Sequence, residues 1–301
     1  MKIPAHPGGQ RGFTLVELIV VIVITGIVAG MVALFIRIPV QGYLDVNARA
    51  ELADAADTAT RRITRDVRLA LPNSVRVSNA ANGGSYLELL LTKAGGRYLS
   101  EDDDLTATPG NVLAFDPNTQ AANPNVFTIV GAAPSGLQTI VAGDSIVVNN
   151  LGDQPPVDAY NCGGQCNRAL VSAVNGSNIT LAANPFLAQN PSMPSLSHRF
   201  HVVTTPVTYY CAGNPAGRGV LQRFSGYAIQ AGQPLDASAA PLSTAPVAAL
   251  LAQQVASCGF FFDTLANAER GLVRINLTLG APGSSSGQVS LVQQAQVNNT
   301  P

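Results

Sequence analysis

Arg11-Gly12-Phe13-Thr14-Leu15-Val16-Glu17 opens directly onto Leu18 to Ile36, an apolar run that contains no charged residue. A helix of about 20 such residues spans a bilayer, so residues 13 to 36 are read as a transmembrane segment. Lys2 and Arg11 precede the run without an acid, which favours a cytoplasmic N-terminus. Glu17 lies just inside its leading edge. A carboxylate costs about 2.5 to 3.5 kcal/mol at mid-bilayer depth and less near the interface, so it either reaches water or has a partner. Gly26 and Gly30 form a G-x-x-x-G pair on one helix face, where another backbone can approach closely; glycine is also generally common in membrane helices.

After Arg37, Pro39 removes a backbone donor and is expected to kink or locally break the helix. Leu52, Ala56, Ala59, Ile63, Val67 and Ala70 then recur at three- and four-residue steps, the period of an amphipathic helix with one buried stripe. Pro72-Asn73 ends it. Residues 13 to about 71 thus read as one long, kinked helix, apolar in its first half and amphipathic in its second.

From residue 72 the chain is rich in Ala, Asn, Ser, Gly, Pro and Gln, and is long enough to bury a substantial core. Short apolar runs between turn formers predict strands at Tyr86–Leu91, Val126–Val130, Ser145–Val148, Ala169–Val174, Ile179–Ala182 and Phe200–Val203. Val273, Ile275, Leu277 and Leu279 alternate with Arg274, Asn276 and Thr278, the pattern of a strand with one wet face. Gly219–Ile229, Val255–Phe262 and Gly287–Val297 are further candidates for the same sheet. Ala231–Pro246 reads as low-complexity chain, Pro246–Ala252 as a short helix, and Ala281–Gly287 as a hairpin loop. The expected fold class is α+β, with a long kinked N-terminal helix packed on a C-terminal antiparallel β-sheet domain.

Cys162, Cys166, Cys211 and Cys258 all follow the membrane helix, where an oxidising compartment permits disulfides. Of the three connectivities, Cys162–Cys166 across Gly163-Gly164 with Cys211–Cys258 between predicted strands is favoured. The second closes a loop worth on the order of 4 kcal/mol in a chain-entropy picture. A four-cysteine zinc site is the rival, but Cys211 and Cys258 do not form a second knuckle.

Nothing in the pattern points to catalysis, to a resident metal or to a cofactor. His198 and His201 on a strand would face opposite sides, and no nucleophile elbow, phosphate loop or dinucleotide fingerprint is present. Glu101-Asp102-Asp103-Asp104 matches no defined calcium motif and reads as a solvated loop. Net charge is −1 and 12% of residues are charged, so nucleic acid is not an expected partner. Arg61, Arg62, Arg65 and Arg68, interleaved with Asp57 and Asp66, read as a solvated face or a contact to acidic neighbours.

Gly12-Phe13-Thr14-Leu15-Val16-Glu17 resembles the type III signal of type IV pilins and type II secretion pseudopilins. Unlike a secretory signal, it places the cleavage site before the apolar run. The resemblance implies that a prepilin peptidase cuts after Gly12 and methylates the amine of Phe13, and that Glu17 meets that amine on a neighbouring subunit. Some tip-most pseudopilins lack this acid. Phe35–Tyr43, Arg65–Ser74, Val207–Cys211, Gly219–Arg223 and Val297–Asn299 are similar to proteins of MSHA (mannose-sensitive haemagglutinin) pilus biogenesis, with J-type pseudopilins next. The implied protein is a minor pilin-like subunit with a leader (1–12), a helix (13–71) and a periplasmic domain (72–301), anchored in the inner membrane. Its implied partners are the peptidase, other pilins or pseudopilins, the inner-membrane assembly platform and membrane lipid. A J-like secretion pseudopilin and a ligand-binding minor pilin, an adhesin or DNA-uptake protein, are the alternatives.

Overall fold

A computed structural model describes residues 12–80, 83–118, 123–152, 158–162, 166–264, 270–280 and 287–299. The leader before Gly12, the Gly163-Gly164 turn and residues 281–286 of the expected hairpin loop lie outside them. The chain divides into two compact units, Met1–Glu51 and Leu52–Pro301.

Helix α1 (Leu15–Arg68) contains Pro39 and continues without interruption through it, so the expected local break does not occur. One missing donor in a helix this long leaves the neighbouring turns to carry the element. In the first unit the large apolar side chains from Leu15 to Ile36 are exposed. An 18-residue window there has mean hydropathy 3.0, long and apolar enough to cross a membrane.

In the second unit the predicted stripe is the buried face of α1. Ala56, Ala59, Ile63, Val67 and Ala70 enter a core with Leu87, Leu89, Val207, Tyr209 and the alternating Val273, Ile275, Leu277 and Leu279, and Leu52 packs at its margin. The helix ends at Arg68 because the chain becomes part of the sheet. Leu71 N–H donates to the Leu90 carbonyl at 2.7 Å, and Thr92 N–H to the Leu69 carbonyl at 2.9 Å.

The strands are β1 (Arg76–Asn79), β2 (Gly84–Tyr98), β3 (Val126–Val130), β4 (Ser145–Val147), β5 (Arg168–Asn175) and β6 (Asn178–Leu181), then β7 (Arg199–Ala212), β8 (Gly219–Ser225), β9 (Val247–Thr264), β10 (Arg270–Gly280) and β11 (Gln288–Asn298). Every ladder between these strands is antiparallel. The order β1-β2-β7-β8-β9-β10-β11 makes the sheet under α1. A second circuit, β2-β3-β6-β5-β4-β7, closes on itself because β2 and β7 also pair directly. It encloses a separate core around Phe127, Phe186, Phe200, Ile146 and Val202. β2 serves both cores, and its register with β7 shifts on either side of Thr92, near Pro206. Bulges and proline are accommodated at such irregular positions.

Sequence reasoning missed this double role, so Tyr86–Leu91 and Phe200–Val203 were expected as short strands. The expected helix at Pro246–Ala252 is also corrected. Val247–Ala252 is strand, paired with β8 from Val247 opposite Ser225 to Ala252 opposite Leu221. Alanine and leucine favour helix locally, but β8 supplies a full ladder that a one-turn helix would forfeit. Gly219 sits at the crowded junction of β8 and β9, where a Cβ would collide with the Ala212 and Val255 carbonyl oxygens.

Candidate processing and assembly site

The N-terminal end of α1 is held by a local cap. The backbone N–H of Glu17 donates to Thr14 Oγ1 at 3.2 Å, the first half of a capping box in which Thr-x-x-Glu satisfies orphan donors at a helix start. The Thr-x-x-Glu spacing of Thr14-Leu15-Val16-Glu17 carries this signal, which sequence reasoning missed. Glu17 lies in the first turn, where an acid complements the helix dipole. Phe13 precedes the helix and is 80% exposed. Around Gly26 and Gly30 an added Cβ would meet nothing within 4 Å beyond the adjoining helix backbone, so their face is open for another backbone.

The other end of α1 is fastened to the sheet by a buried polar cluster. Asp66 Oδ2 accepts from Arg223 Nε at 2.8 Å and from the Tyr209 hydroxyl at 2.7 Å, and Arg62 Nε lies 3.7 Å from Oδ1. The expected solvated Asp66 is therefore corrected: it is buried. The signal was present, since Asp66 stands three residues after Ile63 and seven after Ala59, on the stripe itself. Burial, and then the Asp66 carboxylate, push the Tyr209 hydroxyl well above its ordinary pKa, so it remains a donor. Asp57 does pair on the exposed face, with Arg61 at 2.7 Å.

A second buried cluster ties β1 to β2. Glu88 takes Arg76 at 2.7 Å and accepts from the Tyr227 hydroxyl at 2.9 Å, and the Arg76 guanidinium stacks 3.6 Å over the Tyr160 ring. Burial raises the Glu88 carboxyl despite Arg76 and Tyr227, which pull the other way. Every partner within this group is provided by the fold, so it holds structure together and presents no free reacting atom.

The cysteines pair as Cys162–Cys166 and Cys211–Cys258, with Cα separations of 4.8 and 6.3 Å. The second joins β7 to β9. His198 precedes β7, 3.1 Å from Arg97 through Nδ1. His201 lies within β7, half-buried, and desolvation followed by Arg199 lowers its pKa. In the acidic loop, Asp103 binds Arg97 at 2.5 Å and accepts from Ser100 N–H. Asp104 receives Thr106 and Ala107. These carboxylates close their own turn, and no group of three metal-binding side chains occurs among the described residues.

Residues 8–33 match the family described as the prokaryotic N-terminal methylation motif. The match supports a type IV pilin-like or pseudopilin class of protein, with a prepilin-type start that implies processing by a peptidase and assembly with other pilins. On a helix long and apolar enough to cross a membrane it points to membrane anchoring, and proteins of this class are typically structural. No curated protein and no solved structure matches the chain.

Proposed function

We propose that this chain is a minor pilin-like subunit of an MSHA-type type IV pilus, resembling the biogenesis protein MshO. It is made with the leader 1–12, inserted in the inner membrane with the domain from residue 72 in the periplasm, and cut between Gly12 and Phe13. The observation that carries this reading is the methylation motif over residues 8–33 running straight into a helix whose large apolar side chains are exposed. Apolar surface of that extent is stabilised only by lipid or by other helices.

The subunit works by packing. In the bilayer α1 is covered by lipid; in the filament it is covered by neighbouring helices, with Gly26 and Gly30 allowing close approach. Removal of the leader exposes the Phe13 amine one helical turn before Glu17, and an amine from one subunit meeting Glu17 of the next neutralises two charges in an apolar core. The Thr14 cap orients Glu17 without consuming its carboxylate.

The test is the intact mass and N-terminal peptide of the full chain co-expressed with a prepilin peptidase, beside Gly12→Leu and a peptidase-free control. A methylated Phe13 N-terminus that requires both the enzyme and Gly12 is expected. A leader retained in every sample overturns the proposal. A J-like pseudopilin of type II secretion is the second reading, supported by the size of the sheet domain. Recovery of the processed chain in sheared pili, against an effect of its deletion on secretion alone, separates the two.

A further inference from the structure

The two ends of the sheet differ in how they are protected. β1 has four residues, and Gln233 reaches its edge, donating to the Arg76 carbonyl at 3.3 Å and accepting from Ser78 Oγ at 2.7 Å. β11 has eleven residues and pairs with β10 alone among the described strands, in a register without a bulge. From Gln288 to Asn298 it contains no charge, no proline and no glycine. Folded proteins blunt an edge of this length with charge, proline, bulges or a cover, because it is a template for another strand.

Two clefts border this strand, and Arg68 lines both. One, of about 710 Å³, is lined by Asp57, Arg61, Arg65 and Arg68 of α1 with Gln293. The other, of about 730 Å³, is lined by Arg68 and Arg270 with Gln294 and Gln296. Arg61 is neutralised by Asp57. Among the described residues no ion pair or hydrogen bond holds the side chains of Arg65, Arg68 or Arg270, all of which are exposed. Among the described residues, an unblunted strand edge thus lies beside three guanidinium groups that no carboxylate pairs.

We infer that the free edge of β11 receives an extended acidic segment of another polypeptide, which adds to the sheet as a further strand while its carboxylates meet Arg65, Arg68 and Arg270. Backbone pairing supplies the attachment, and alternate side chains supply selectivity. An added strand sits about 4.8 Å away, and arginine binds carboxylate bidentately in such flanking positions. Nucleic acid satisfies the arginines but not the row of backbone amides. This inference goes beyond the filament reading and does not rest on it, since cleavage at Gly12 and strand addition at β11 are separate events.

The test uses the full chain in detergent micelles and three synthetic peptides of one length, built on Thr and Val with Glu, Gln or Lys at alternate positions. The Glu peptide is expected to bind and to raise amide hydrogen-exchange protection within β11. In Arg65→Glu/Arg68→Glu/Arg270→Glu its affinity falls about tenfold or more and the Lys peptide becomes the better ligand. Gln294→Glu/Gln296→Glu, at exposed positions that leave all three arginines in place, also weakens the Glu peptide. Equal binding of the Glu and Gln peptides overturns the inference. So does β11 protection that rises with protein concentration in the absence of peptide, which assigns the edge to a second copy. Tighter binding of a duplex oligonucleotide or an anionic vesicle with the same arginine dependence overturns it as well.

Discussion

The two halves of α1 are the same secondary structure in opposite circumstances. Before Glu51 the large apolar side chains from Phe13 to Ile36 are exposed, and nothing within its own unit covers them. From Leu52 onward one stripe alone is apolar, and it is buried by the sheet. A helix that is hydrophobic all round needs an environment from outside the chain, whereas an amphipathic helix is completed by its own domain. The difference teaches that the fold stability of this protein resides in residues 52–301, while the first half of α1 leaves its apolar surface to be covered from outside the chain.

The strongest way to break that distinction is a charge in the buried stripe. Ile63→Asp places an unpaired carboxylate in the main core and is expected to destabilise the domain by about 4 kcal/mol or more, read as loss of the cooperative thermal transition. An unchanged transition refutes the assignment of Ile63 to the core. The polar fastening comes next. Asp66→Ala leaves the Arg223 guanidinium buried without its carboxylate and costs about 3 kcal/mol in denaturant unfolding. Asp66→Leu combined with Arg223→Met recovers much of that loss, because both desolvated charges are removed together.

A smaller effect is a pH dependence located in the domain. His201 has a folded pKa below its unfolded value of about 6.5, so the unfolded chain binds the proton first. Stability is then full above about pH 6.5 and declines as pH falls from there toward the lowered folded value. His201→Gln flattens this part of the stability–pH curve, and a curve identical to wild type removes His201 as its source. The least effect on stability belongs to the apolar half. Gly26→Leu/Gly30→Leu leaves the domain transition within about 0.5 kcal/mol of wild type and, under the proposed function, reduces incorporation into a filament. A large shift in the transition contradicts the division of labour.

Several elements were legible in one dimension. The 3.6-residue stripe from Leu52 to Ala70 and the two-residue alternation from Val273 to Leu279 meet face to face in one core, as periodicity implies. The pairing of Cys211 with Cys258 follows from two strands that lie close in the same sheet. The segment Val247–Ala252 was misread because its helix propensity is local, while the ladder that overrides it comes from β8, more than twenty residues earlier. Asp66 was misread because its charge was weighed above its position on the stripe.

By itself the sequence determined what needs only neighbours along the chain: a charge-free apolar run, the methylation motif over residues 8–33, the capping pattern from Thr14 to Glu17, and the periods of the helix and of β10. The closed circuit of β2 to β7 with its own core, the burial of Asp66 against Arg223 and Tyr209, and the edge of β11 beside three arginines that pair with no described residue were decided only by the tertiary structure. Each depends on which distant strands meet, and that choice is made by the burial of many weak contacts at once rather than by any motif.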